Sequence, residues 1–417
     1  MDRRSEIIFE HPEDSKEQQN LVMFKDFLSR SFGTSEFTSE SAGDFSEDSS
    51  VKAVYYPKNS EEITVKDPSV RSTRFSKHVM YLISGYDSSG DFQNKRRYKE
   101  FYALRKILVD QWPGCTVPQL PPKQAIGNLD NEFVESRRKQ LEHFLRQIAR
   151  LNHLYGCDEM QEFLRGPPKF HRSDILTKQI NWKLIALRYQ NVFSQFSGFQ
   201  RTPKVEKEIG ELLGHLNNGI SNLDTLIISC NDTFASACAL ESCFIRLVTD
   251  INSTKRFFHE KLQEYPIGPT TINPFAHLIY WCKNNTLSIN GLIESIYKQY
   301  ELQKLKTKLL GKIEEEKVKI AAIDKGKKRV IQFFNKKPNE FYKGVIESEI
   351  LSLKSNVEDI DTILNLSSAL VMFHEFPNFK QQKAQELLTE LKNLKETCDD
   401  FFQVFIEKLS NIDIFDN

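Results

Sequence analysis

Arg96-Arg97-Tyr98-Lys99-Glu100-Phe101 stands where two kinds of periodicity meet. Upstream, Val79 to Tyr86 is β-branched and aromatic, and Asp87-Ser88-Ser89-Gly90-Asp91 has hairpin-turn chemistry. A strand over 79–86 and a second one running to about Tyr98 are expected. Downstream, Phe101, Leu104, Ile107 and Leu108 fall on one face of a helix over 100–110, which Trp112-Pro113-Gly114 stops. The chain then reads Val117-Pro118-Gln119-Leu120-Pro121-Pro122-Lys123, whose prolines favour extended polyproline-type backbone. An amphipathic helix with a basic first half follows from Phe133 through Ser136-Arg137-Arg138-Lys139 to Leu145.

Arg-Arg-Tyr, Pro-Pro-Lys and a basic helix together supply what an inositol phosphate headgroup needs. Planar guanidinium forks hold a phosphate by paired, charge-assisted hydrogen bonds, a lysine adds a point charge, and an aromatic face covers the ring. Strand alternation alone would put Arg97 and Tyr98 on opposite faces, so the strand must end about there for both to reach one ligand. In order and spacing, Arg96-Arg97-Tyr98-Lys99-Glu100-Phe101, Leu120-Pro121-Pro122-Lys123 and Phe133-Val134-Glu135-Ser136-Arg137 resemble the three signature elements of the phox-homology (PX) domain. The resemblance implies that Arg97 binds the 3-phosphate of phosphatidylinositol 3-phosphate, helped by Lys99. It further implies that Tyr98 stacks under the inositol ring, Lys123 reaches the 1-phosphate and Arg137 bonds the 4- and 5-hydroxyls. Arg138 and Lys139 read as general surface charge, while Ile126 and Leu129 read equally as bilayer contacts or as core.

Beyond Gly166-Pro167-Pro168, residues 175–199 read as a basic amphipathic helix in which Ile180, Leu184, Leu187, Val192, Phe196 and Phe199 are interleaved with Lys178, Lys183 and Arg188. Such a helix lies in a membrane interface or packs on a neighbour. From Pro203, Ile209, Leu212, Leu216, Ile220, Leu223 and Ile227 step by three or four, a coiled-coil-like stripe. Breaks at 265–269 and 337–338 divide the rest, with a second helix from Asn273-Pro274 to about Asn335. Ile346, Ile350, Leu353, Val357, Ile360 and Leu364 resume the stripe, and Pro377 reads either as a kink or as a boundary. Three helices of this length form a thin bundle, which should bury its stripes in a dimer. Following a PX-like segment and a basic helix, this order resembles the BAR domain of the PX-BAR sorting nexins, most closely the small endosomal recycling and autophagy members.

The 417 residues carry 57 Lys+Arg against 57 Asp+Glu. A net charge of zero speaks at first against an anionic partner, yet the charge lies in blocks. Residues 1–50 hold 12 acidic and 5 basic side chains, residues 71–172 hold 18 basic and 11 acidic, and residues 298–337 hold 13 basic and 5 acidic. Within the last block, Lys304, Lys306, Lys308, Lys312, Lys317, Lys319, Lys325, Lys327, Lys328 and Arg329 are candidates for a membrane-facing surface, foremost Lys304, Lys308, Lys312, Lys327, Lys328 and Arg329. No run of about 20 apolar residues is present and the start is polar, so neither a membrane span nor a signal peptide is expected. The seven cysteines form no CxxC pair and read as buried thiols in a reducing compartment. Phosphate-loop, dinucleotide, zinc-protease and nucleophile-elbow motifs are absent, so no enzyme, cofactor, metal or small-molecule substrate is expected. The basic helices lack interleaved aromatics and any nucleic-acid module signature, so no nucleic-acid partner is expected either.

The expected fold is an α+β PX domain, a small antiparallel sheet plus helices, followed by an all-α elongated three-helix BAR-type coiled-coil bundle. Its expected parts are an acidic, Ser-rich disordered tail over 1–58, a PX domain over 59–170, a linker with an amphipathic helix over 171–202 and a helical dimerisation domain over 203–417. Function follows from the resemblance: a cytoplasmic protein, peripheral on early endosomes and preautophagosomal membranes. There it would bind phosphatidylinositol 3-phosphate and act as a homodimer or as a heterodimer with another PX-BAR protein to sense or shape curved membrane in sorting, recycling and autophagy-related transport. The alternatives are a retromer-associated coat subunit and a coiled-coil adaptor without lipid specificity.

Overall fold

The computed structural model describes residues 63–72, 77–87, 89–123, 130–177, 179–258, 273–324 and 339–410. The expected tail, Ile126, Leu129, Lys178, the breaks at 265–269 and 337–338, and Lys325, Lys327, Lys328 and Arg329 lie outside the described residues.

Three strands, β1 (Thr64–Ser72), β2 (Lys77–Asp87) and β3 (Gly90–Arg97), form an antiparallel sheet in that order. Alternation along β2 sends Val79, Tyr81 and Ile83 into the core. The β2–β3 hairpin closes on the Asp87 and Gly90 pair, and Gly90 takes the turn with φ +96°. Strand β1 was not expected. Its buried Ile63 and Val65 are followed by Asp67 at φ +47° and by Pro68, where the register shifts between Lys66 and Ser69. A bulge and a proline erase the alternation by which a strand is recognised. Arg138 corrects a second expectation. It is not general surface charge but a fastener: Nη1 donates to Val65 O at 2.6 Å while the guanidinium pairs with Glu135 and Glu142.

Helices α1 (Tyr98–Gln111), α2 (Asn131–Ala149), α3 (Asn152–Tyr155) and α4 (Asp158–Arg165) close over the sheet. Phe101 anchors them, with ring centroids 6.4 Å from Phe144 and 5.1 Å from Phe163. At the end of α1, Gly114 adopts φ +92°, and a Cβ there would come within 2.9 Å of Ser367 Oγ. Only glycine fits this turn.

The amphipathic helix expected over 175–199 is shorter, and of its expected apolar stripe only Phe196 and Phe199 meet the core. Helix α5 covers Trp182–Val192, flanked by 3₁₀ turns at Asp174–Thr177 and Ser194–Phe196. Its buried side is Ile185, Ala186 and Tyr189, continued by Phe193, whereas Ile180, Leu184, Leu187 and Val192 are exposed. Tyr189 decides the orientation: its hydroxyl donates to Pro113 O at 2.8 Å, accepts from Cys115 Sγ at 3.2 Å, and its ring lies 5.6 Å from Trp112.

Long helices follow: α6 (Pro203–Phe258), α7 (Ala276–Asp324) and α8 (Asn339–Leu370), the last continued through a π-turn, Val371–Glu375, into α9 (Phe376–Ser410). Leu223, Ile227 and Cys230 of α6 meet Leu278 and Cys282 at the start of α7, and Leu387 and Leu394 of α9 join the same cluster. Further along, Ile313 packs on Ile346 and Ile350 of α8. Neighbours are therefore antiparallel. Among the described residues none of these helices is long and apolar enough to cross a membrane.

The π-turn settles the role of Pro377. Proline offers no N–H to the preceding turn, and a wider turn just before it relieves the missing bond. It also resets the stripe. At about 100° per residue, Leu387, Leu394 and Phe401 would lie roughly 100–140° around the helix from Leu364. One inserted residue takes back about 100°, returning all three to within roughly 40° of the face that meets α7.

Sheet and bundle share one core. Leu302 of α7 and Ile360, Ile363 and Leu364 of α8 belong to the same buried cluster as Phe101, Leu141 and Tyr189. The cysteines only partly follow expectation. Cys115, Cys157, Cys230 and Cys282 are buried, Cys238 and Cys398 are half-buried, and Cys243 is exposed because it lies on the outer side of α6. All seven are free thiols, and no His/Cys/Asp/Glu group able to hold a metal occurs among the described residues.

Candidate functional site

Strand β3 ends at Arg97 and α1 begins at Tyr98, the change of geometry needed to turn both side chains to one side. Arg97 is the N-cap residue of α1 with extended backbone (φ −101°, ψ 162°), and its N–H donates to Glu100 Oε2 at 3.0 Å. The positive end of the helix dipole is therefore directed at the site, as an anion requires.

The two adjacent arginines have opposite fates. Arg96 shares the inward parity of Phe92 on β3 and is fully buried. Its guanidinium donates to the carbonyls of Phe163 (2.9 Å), Pro167 (2.7 Å), Gly166 (3.0 Å) and Glu162 (3.3 Å), and Nη1 lies 3.9 Å from Glu100 Oε1. Burial lowers its pKa, which the carboxylates of Glu100 and Glu162 oppose. Arg96 is thus neither a ligand group nor a solvated charge, but the tie that holds the end of α4. Arg97 is half-buried, with Nη2 3.0 Å from His171 Nε2.

Tyr98 and Arg137 form a second cluster. The Arg137 guanidinium carbon lies 4.5 Å from the Tyr98 ring centroid and 4.3 Å from that of Phe133, so it is clasped between two rings. Its Nη2 donates to Pro122 O at 2.9 Å, and the Tyr98 hydroxyl donates to Pro121 O at 2.5 Å. The paired prolines thus present two carbonyls to the site and hold both side chains in place. Desolvation pushes the Tyr98 phenol up to about 12, partly offset by Arg137, so it stays a neutral donor. Lys123 is exposed, with its ammonium 4.0 Å from the Tyr102 ring centroid, one turn of α1 beyond Tyr98. Lys99 is exposed beside Arg97. The sequence expectation missed His171 and Tyr102, neither of which belongs to a motif, and gave Phe133 no role.

The lysines of α7 divide. Lys306 reaches across to Asp361 of α8 at 2.6 Å, and Lys317 and Lys319 pair with Glu314 and Glu316 on their own helix. Lys304, Lys308 and Lys312 recur every four residues along one exposed face.

Residues 85–166 match the family model of the PX domain. The chain is 36% identical over 93 residues to the vacuolar protein sorting-associated protein vps5 of Schizosaccharomyces pombe, covering 21% of this chain and 16% of that protein. It is 32% identical over 126 residues to sorting nexin MVP1 of Kluyveromyces lactis (28% and 24% covered) and 38% identical over 76 residues to sorting nexin-8 of Mus musculus (18% and 16% covered). The chain thus spans less than a quarter of the length of these relatives. Among solved structures it is similar to a designed CISK-PX domain (TM-score 0.23, 33% identity, covering 25% of this chain and 97% of that one). It is also similar to the SNX-BAR Mvp1 tetramer (TM-score 0.39, 16% identity, 80% and 99% covered).

The chain is a PX-domain protein. Long antiparallel helices follow that domain, and the relatives matched over it include sorting nexins.

Proposed function

We propose that this chain is a peripheral endosomal membrane protein that binds phosphatidylinositol 3-phosphate and assembles through its long helices to sense or shape curved membrane during protein sorting and recycling, including autophagy-related transport. The observation that supports the reading is that Arg97 caps α1 while Tyr98 and Arg137 are held beside it by the carbonyls of Pro121 and Pro122, with Lys123 against Tyr102 one turn further on. Arg97 and Lys99 take the 3-phosphate, Lys123 the 1-phosphate, and Arg137 the ring hydroxyls beside Tyr98. Lys304, Lys308 and Lys312 face the anionic leaflet, where each basic residue contributes about 1 kcal/mol. The exposed Ile228, Leu240, Leu247, Leu388 and Leu391 favour dimerisation through α6 and α9. The partner is a second copy or another PX-BAR chain.

Sedimentation with liposomes carrying each phosphoinositide in turn tests the lipid reading. Selective pelleting with the 3-phosphate, lost in Arg97→Ala, is expected, and equal binding to all species would overturn it. Light scattering should give twice the chain mass at micromolar concentration, and a monomer would remove the assembly half of the proposal.

A further inference from the structure

His171 lies in the 3₁₀ turn Phe170–Arg172, after Lys169 at φ +69°. Phe170 is buried against Phe163, with ring centroids 5.3 Å apart, and the carbonyls of Gly166 and Pro167 are held by Arg96. The imidazole is therefore fixed from both sides and is itself largely buried. Its partners set its tautomer. Arg97 Nη2 can only donate, so Nε2 at 3.0 Å must accept, which leaves the ring neutral with its proton on Nδ1. Nδ1 lies 3.6 Å from Glu100 Oε1, and neither buried atom has a hydrogen-bond partner. Around this ring stand Arg97 from β3, Lys99 and Glu100 from α1, and Arg96, 3.9 Å from the same Glu100 oxygen. Burial foremost, then the Arg97 charge, holds the imidazole below its ordinary range, while Glu100 pulls the other way.

Resting on the assignment of Arg97 to the phosphate, we infer that His171 is a second phosphate-contacting group, which takes up one proton when a phosphomonoester binds. A phosphate oxygen accepting from Arg97 Nη2 displaces the bond to Nε2. The freed Nε2 gains a proton from solvent and donates it in a hydrogen bond to the phosphate, while Nδ1–H turns to Glu100. The dianion and the Glu100 carboxylate then flank the imidazolium and offset Arg97 and Lys99. Binding thereby becomes linked to pH. Because the bound form carries the extra proton, affinity rises as pH falls from about 7.5 to 6.5, by up to about tenfold per unit for one proton.

Isothermal titration of the full chain with soluble dibutanoyl phosphatidylinositol 3-phosphate, in two buffers of different ionisation enthalpy, counts the protons. An uptake approaching one at pH 7.4 is expected. His171→Gln keeps a neutral acceptor for Arg97 but cannot supply the charged contact, so it should bind several-fold more weakly than the wild type at pH 7.4, without uptake and without the steeper pH slope. The second ionisation of the phosphate itself, near pH 6, is common to both proteins. Wild-type uptake in His171→Gln overturns the inference and leaves the lipid reading standing, whereas full binding by Arg97→Ala removes the lipid reading itself. Inorganic phosphate alone, at the same concentration, should give no uptake, and full uptake would make this a free-phosphate site. With no substitution at all, NMR of labelled imidazole should show the His171 titration move up by about two units or more on binding, and an unmoved titration overturns the inference.

Discussion

Replacing Arg96 by methionine tests whether this arginine is a tie or a ligand group. Methionine fills much of the same space but leaves the Phe163 and Pro167 carbonyls without their donor, while Gly166 O keeps its bond from Asn94 Nδ2 at 2.8 Å and Glu162 O its bond from Gly166 N at 2.8 Å. It also removes the cation beside the buried Glu100 carboxylate. Each hydrogen bond to a charged group contributes about 1.5–3 kcal/mol, but the two orphaned acceptors are neighbours and their losses do not add. Losing one partner of a buried, bonded charge costs about 3–5 kcal/mol in all, which is the expected figure here. At a denaturant slope of about 2 kcal/mol per molar urea, the midpoint of the sheet domain should fall by about 2 M. The core residue Trp112 reports the transition by fluorescence. Arg97→Ala, one residue away and half-exposed, should move the midpoint by no more than about 0.3 M while abolishing lipid binding. A small shift for Arg96→Met, or a larger one for Arg97→Ala, would refute this division of labour.

Burial pushes the Glu375 carboxyl up to about 7, against two hydrogen bonds from Thr116. A folded pKa above the unfolded one gives stability that is present below about pH 4.5 and is lost as pH rises through 7, on the order of 3 kcal/mol across that window. Glu375→Gln should flatten this part of the curve in thermal melts. Buried His153, held near 3 by burial, has the opposite slope but is common to both proteins, so the difference between the curves isolates Glu375. Gly114→Ala forces a left-handed turn and a Cβ 2.9 Å from Ser367 Oγ, so it should cost about 1–3 kcal/mol and speed proteolysis between the sheet domain and the bundle. Reversing Lys304, Lys308 and Lys312 to glutamate should weaken sedimentation with anionic liposomes without altering the choice among phosphoinositides; a changed preference would place those lysines at the headgroup instead.

The meeting of Tyr98 and Arg137 was legible in the spacing of the motifs that carry them, and the long stripes were legible because a helix repeats its face. Arg96 received no role of its own although its parity with Phe92 was visible, because the carbonyls it holds lie some 70 residues away. His171 could not be found by spacing, since the approach of the 3₁₀ turn to α1 is set by Phe170 in the core. Helix α5 carries two apolar faces of equal period, and only the Tyr189 hydroxyl bond and the Trp112 ring distinguish the buried one. Strand β1 stayed hidden behind its own bulge.

The π-turn at Val371–Glu375 also bears on how related chains are compared. A relative lacking that single extra residue would present residues aligned with Leu387 and Leu394 on another side of its helix. A gap of one placed inside an otherwise unbroken helix is then the correct alignment, and a gapless one pairs surface with core over the last 35 residues of the described helix.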